Sequence, residues 1–225
     1  MSLTSGRGPF SGKRAGRFNP PIPEHAVYVE PFRRRVRGMV GESAVIDSEG
    51  VLLVHRPGYP PAYAFPADDA RSVPAEPEPD APGYVQVRWD AVESWYEEEE
   101  QVFLHPRNPY HRVDYVRSKR HLHVDVAGTT FVDTEGAIVA YETALEPVLY
   151  VTRDVVRMDL LVPTSTTTHC PYKGTASYWS AVVGDTVVED VAWSYEDPRP
   201  ESESIRDLVS FDPVKATVEH DVPTG

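Results

Sequence analysis

A single cysteine, Cys170, in a chain of 225 residues excludes an internal disulfide and any zinc centre assembled from paired Cys-x-x-Cys turns. Long apolar runs are equally missing. Nothing approaches the roughly eighteen apolar residues of a membrane helix, and the N-terminus has no secretory hydrophobic segment, so no membrane partner is expected and a cytoplasmic location is. Positive charge is scarce beyond the first forty residues. The net charge is -13, but residues 1–40 hold eight Lys or Arg against Glu24 and Glu30, which leaves -19 on the rest. An acidic body without a basic, aromatic groove repels phosphate backbones, so nucleic acid is not expected as a partner. No Gly-rich phosphate loop opens a helix and no carboxylate pair suits magnesium, so no cofactor is expected. His121 and His123 stand two apart on an expected strand but lack a third ligand, so no metal is expected either.

What the chain does have is an ungapped internal repeat. A displacement of 86 sets Arg34 on Arg120, Val40 on Val126, Asp47 on Asp133, Glu49 on Glu135 and Gly50 on Gly136, then Pro61 on Pro147, Asp68 on Asp154 and Arg71 on Arg157. Those eight identities fall within 38 positions, where ordinary composition at roughly 6% per position yields two or three. Beyond Arg71 the best match sets Trp95 and Tyr96 against Tyr178 and Trp179. Copy one there carries the insert PAEPEPDAP at Pro74–Pro82, unsuited to a helix or an inner strand. It therefore has no counterpart of Cys170 or Lys173.

Short β-branched or aromatic segments bounded by Gly, Pro and Asp predict strands at 36–40, 44–47, 51–55 and 62–65, again 86 residues on, and at 176–183, 186–193 and 208–211. Ser48-Glu49-Gly50 and Thr134-Glu135-Gly136 read as hairpin turns. Only 201–207 offers a short helix. The expectation is a mainly β protein of two tandem modules of antiparallel strands, packed as a pseudo-twofold pair. A flexible basic tail would span residues 1–30, the first module 31–117 and the second 118–225, in a monomer with an internal pseudo-dimer or a weak homo-oligomer. The acidic run Glu97–Glu100 reads as a solvated edge. Asp68 with Arg71, and Asp154 with Arg157, read as a recurring structural ion pair.

The run THCPYKGTASYWS at Thr168–Ser180, with AWSYEDP at Ala192–Pro198 after it and YETALEPVLYVTRDVVRMDLL at Tyr141–Leu161 before it, resembles the family catalogued as domain of unknown function 427. Its members are also filed under a nucleotidyltransferase-like label. The resemblance covers nearly all of copy two, and copy one looks like a diverged member that has lost the motif. It implies a β-tent (Mss4-like) fold, related in shape to zinc-binding and methionine sulfoxide reductase modules, rather than an activity. The zinc cysteines of those relatives are absent here.

In Cys170-Pro171-Tyr172-Lys173-Gly174, Pro suits the second position of a tight turn, which folds the Lys173 ammonium back toward the sulfur. Gly174 lets the chain leave at angles that other residues resist. A cation beside a thiol raises its thiolate fraction and makes it a better nucleophile. His169 is a candidate general base, although strand alternation sends His169 and Cys170 to opposite faces. Trp193, Tyr195 and Asp197 alternate along one face and, with Tyr172 and Tyr178, could wall a pocket for a ring-shaped ligand, Asp197 holding a donor. The competing reading makes Cys170 a small buried hydrophobe, Lys173 a solvated turn residue and the aromatics core. Functionally this leaves a cysteine and lysine dependent enzyme, a non-catalytic module binding an aromatic or anionic metabolite, or a structural, partner-binding protein.

Overall fold

The computed structural model describes residue 4 and residues 6–22 and 26–222. The chain divides into two compact units, Met1–His111 and Arg112–Gly225, both made of antiparallel strands. Helical structure among the described residues consists of short 3-10 turns, one of them at Pro200–Ile205 where a helix was expected. Among the described residues no helix is long and apolar enough to cross a membrane.

The first unit contains β1 (Tyr28–Pro31), β2 (Val36–Val40), β3 (Ser43–Ser48), β4 (Leu52–His55), β5 (Ala62–Pro66), β6 (Ala75–Pro77), β7 (Tyr84–Val87), β8 (Ser94–Glu97) and β9 (Glu100–Val102). They form two sheets, in the orders β1-β4-β5-β7-β6 and β3-β2-β8-β9. Alternation turns Val36 and Ile46 inward onto Leu53, Phe65 and Trp95, all buried, each worth roughly 1.5–3 kcal/mol of apolar burial. Gly38 is required in β2, because a Cβ there would meet Val92 at 3.2 Å and Trp95 at 3.3 Å. The proline-rich insert supplies only the edge strand β6, as its missing donors demand. Of the expected tail, residues 1–3, 5 and 23–25 lie outside the described residues, and Tyr28–Glu30 already belong to β1.

The second unit contains β10 (Val113–Val126), β11 (Thr129–Glu142), β12 (Val148–Tyr150), β13 (Leu161–Cys170), β14 (Gly174–Val183), β15 (Thr186–Ser194), β16 (Val209–Phe211) and β17 (Thr217–His220). Its sheets run β12-β11-β10-β17 and β13-β14-β15-β16. Ala127 and Gly128, both at positive φ, close the β10–β11 hairpin as a two-residue loop of the kind that matches strand twist. The main core gathers Leu122, Val124, Phe131, Trp179, Val191 and Phe211. A second cluster joins Ala140, Tyr150, Ala176, Tyr195 and Ile205.

Ladders of the two units share one register at the displacement of 86. Val36 faces Ser48 and Leu122 faces Thr134; Val29 faces Val54 and Tyr115 faces Ala140; Leu52 faces Ala64 and Ile138 faces Tyr150. Even the bulge after Gly38 returns after Val124. Beyond that point the expected match fails. β2 takes β8 as its other neighbour, Val36 opposite Glu97, and β10 takes β17, Leu122 opposite His220. Phe65 faces Val85 of β7, and Val151 bridges Val209 of β16. Trp95 and Tyr96 therefore stand where β17 stands, not where Tyr178 and Trp179 do. β6 stands beside β7 as β15 stands beside β16, Pro77 opposite Val85 and Ser194 opposite Val209, whereas among the described residues β13 and β14 have no counterpart in the first unit.

Four smaller expectations are corrected as well. Thr134–Gly136 is no hairpin turn but lies inside β11, where Gly136 at φ +110 absorbs an irregularity opposite Ser118–His121. Ser48–Gly50 is a corner, since β3 and β4 belong to different sheets. The run 97–100 is not uniformly solvated: Glu97 is buried and accepts from Tyr63 Oη at 2.6 Å, Arg34 at 2.5 Å and the Arg107 amide at 2.9 Å. Arg71 pairs with Asp68, whereas Arg157 pairs with Asp159, so that ion pair does not recur.

Candidate thiol site in the second unit

Strand β13 ends at Cys170, three residues turn, and β14 starts at Gly174 directly opposite the cysteine. The exit from the turn depends on glycine. Gly174 sits at φ +104, and a Cβ there would lie 3.2 Å from the Asp197 carbonyl oxygen. That close approach is a backbone bridge from Gly174 to Pro198, reinforced by the Arg199 amide donating to the Lys173 carbonyl at 3.0 Å. The segment after β15 thus pins the turn from behind.

Register places Cys170, Ala176, Tyr178 and Trp193 on one face, because Thr168 faces Ala176 and Tyr178 faces Trp193. Tyr178 and Trp193 are half-buried, Tyr195 is buried, and Cys170 is partly exposed. Trp179 points the other way into the main core, with the Arg153 guanidinium 5.2 Å above its ring. His169, on the face opposite Cys170, exchanges a hydrogen bond of 2.7 Å with Thr175. Burial first, and then the nearby Arg199 charge, lower its pKa from the ordinary value.

The Lys173 ammonium is buried and donates to the Glu142 carboxylate at the end of β11. Burial alone would depress its pKa, but Glu142 and then Cys170 outweigh that and hold it above the ordinary lysine value. Lys173 therefore stays cationic at neutral pH, within electrostatic reach of the sulfur. Around it stand phenols kept protonated. Burial pushes Tyr115 up to about 12, and burial also raises Tyr150 and Tyr195, with Cys170 adding to both. Tyr115 donates to Ser202 at 2.7 Å, and Ser202 donates to the Tyr172 carbonyl at 3.2 Å, which ties the turn to the 3-10 segment. Trp193 Nε1 donates to Tyr150 Oη at 3.3 Å.

Of the residues singled out by sequence, Cys170, Lys173, Tyr178, Trp193 and Tyr195 come together, and Tyr172 joins through its carbonyl. Asp197 does not join. Its carboxylate is 99% exposed and reaches only Arg206 at 3.7 Å, so its contribution is the backbone contact with Gly174. Glu142, Tyr115, Tyr150 and Ser202 were missed. They lie 20 or more positions from Cys170 and converge on it only through the fold, although Glu142 and Tyr150 fall inside the motif-bearing run Tyr141–Leu161. His121 and His123 pair with Asp133 and Asp125, and no group of three or more metal-type side chains converges among the described residues.

Residues 114–222 match the family described as Domain of unknown function (DUF427). No curated protein matches the chain.

Proposed function

We propose, for a chain that belongs over residues 114–222 to the DUF427 family, that the second unit is a small-molecule module whose thiol, Cys170, acts as a nucleophile toward a ring-bearing electrophile. The observation that carries this reading is the buried Lys173–Glu142 ion pair set beside the sulfur among tyrosines. Burying two charges is costly, and an apolar pair of the same volume is often as stable or more so, so such a pair is poorly explained by stability alone. Glu142 fixes the ammonium, the ammonium steadies the thiolate, and Tyr178 and Trp193 offer flat faces for a ring. The partly exposed sulfur remains reachable. The recurrent ladder register favours descent of both units from one β-tent-like module, with the thiol-bearing strands confined to the second.

The test is alkylation of the native chain. Iodoacetamide near neutral pH is expected to modify Cys170, read by mass spectrometry, and Lys173→Met is expected to slow it about tenfold. A thiol that reacts only after denaturation defeats the nucleophile. The half-buried Tyr178 and Trp193 favour a second reading, a binder in which sulfur merely packs. In that case Cys170→Ser retains full stabilisation by whichever metabolite raises the melting temperature.

A further inference from the structure

The first unit, which has neither the thiol nor equivalents of β13 and β14, contains a cavity of about 390 Å³, within the size range of small-molecule sites. One wall is aromatic. Trp89 and Trp95 stack at 5.4 Å with their planes 29° apart, and Tyr63 lies 6.3 Å from Trp89 at 25°. The polar ends of two of these rings are already engaged, Trp95 Nε1 by the Trp89 carbonyl and Tyr63 Oη by Glu97. What Trp95 and Tyr63 can offer a guest is therefore ring surface alone. Val54, Ala62 and Val87 continue the apolar lining.

Charge is cancelled at this site. Arg56, the cationic residue of the lining, is held by Glu78 at 2.5 Å and Asp80 at 3.0 Å. Burial keeps the pKa of His105 below the ordinary imidazole value. One polar group stands out: the Gln86 amide nitrogen is buried with no protein partner. A buried donor left unpaired is destabilising, and an acceptor on a guest would relieve it. At the rim, Leu104 is 62% exposed and held at φ +70, and Tyr59 is 67% exposed. A leucine kept in the left-handed region and in solvent is unfavourable twice over, and a guest would cover it.

The geometry points to a second ligand site in the first unit, taking an uncharged planar heteroaromatic ring that stacks along Trp89 and presents a carbonyl oxygen to Gln86. Its position in the ladder is informative. Val54 opposite Ala62 is the equivalent of Ala140 opposite Val148, the face that the Tyr150 and Tyr195 cluster covers in the second unit. Without equivalents of β13 and β14 that face lines the cavity of about 390 Å³.

The test titrates the full-length, isotope-labelled chain with hypoxanthine and nicotinamide, both neutral and carbonyl-bearing, and with indole, which lacks the acceptor. Saturable shifts of the Gln86 side-chain amide and the Trp89 and Trp95 indole signals are expected with at least one carbonyl probe, binding at least fivefold tighter than indole. Gln86→Leu removes an unpaired buried amide and should fold; it is expected to erase that preference, while Trp89→Ala weakens all three probes about tenfold. Absence of saturable shifts with every probe, or a preference unchanged in Gln86→Leu, overturns the site.

Discussion

The two units treat one stretch of ladder in opposite ways. In the second, the face bearing Ala140, Glu142 and Val148 is roofed by β13 to β15, and a cation enters with the roof to meet Glu142. In the first, the same positions hold Val54, Arg56 and Ala62, β13 and β14 have no equivalent, and the charge at the second position is reversed. Arg56 is neutralised by Glu78 and Asp80 from the proline-rich insert. Ladders of matching register thus carry a filled, charged, sulfur-bearing cluster in one unit and an open, uncharged, aromatic cavity in the other. The lesson is that a sheet face without covering strands does not simply lack a site. The side chains on that face then decide what can bind.

The largest effect expected comes from breaking the charge in the roofed unit. Glu142→Ala leaves the Lys173 ammonium buried without its carboxylate, and removing one partner of a buried pair costs about 3–5 kcal/mol. Urea denaturation should register that loss. The double variant Glu142→Met, Lys173→Met should recover most of it, because paired apolar replacement restores packing without a stranded charge. In the first unit Arg56→Met strands the fully buried Glu78 carboxylate, which keeps the Asp80 amide as a donor at 3.0 Å, so it too should be destabilising. Equal losses in Glu142→Ala and the double variant would mean that packing, not charge, distinguishes the units.

A smaller effect tests how the turn is held. Gly174→Ala forces a side chain into φ +104 and against the Asp197 carbonyl at 3.2 Å, a strain of roughly 1–3 kcal/mol. It should lower the melting temperature and also slow alkylation of Cys170, because the turn carries Lys173. Gly58→Ala in the first unit shares a positive φ but meets nothing within 4 Å, so its cost should be smaller. Similar losses at both positions would show that the Pro198 bridge does not matter.

Much of this arrangement was legible before any coordinates, and the parts that were not have physical causes. The 86-residue register could be read because alternation and turn residues are local properties, and they located β2 and β14 to within two residues of their ends. The Cys170–Lys173 turn was legible for the same reason, its Pro and Gly setting the backbone directly. Glu142 and Tyr150 were not, since nothing near Cys170 in sequence reports what a neighbouring sheet delivers to it. Gly136 misled because positive φ serves a bulge as well as a hairpin. Glu97 misled because one member of an acidic run can face inward while the others face water. The cavity could not be seen at all: its lining is gathered from separate strands and loops between Val54 and Pro106 that only the fold brings together.

The smallest expected effect concerns acid. His55 in β4 is 2% exposed and bonds Glu30 at 2.9 Å, whereas the equivalent position in the second unit is Tyr141, which is exposed. Burial lowers the pKa of His55 below the ordinary value, against the opposing pull of Glu30. A base whose folded pKa lies below its unfolded value is neutral in the native state, so once the pH falls below about 6.5 the unfolded chain binds a proton that the folded chain does not. Stability is therefore lost on acidification from that point, and the loss ends below the folded pKa. Hydrogen exchange corrected for intrinsic rates should show the β1–β4 amides losing protection between about pH 7 and 5.5, while the equivalent ladder of Val113–Ser118 against Ala137–Glu142 holds steady. His55→Gln should flatten the first response. Parallel losses in both ladders would show that acid acts on a feature the two units share, and the contrast drawn from His55 and Tyr141 would fail.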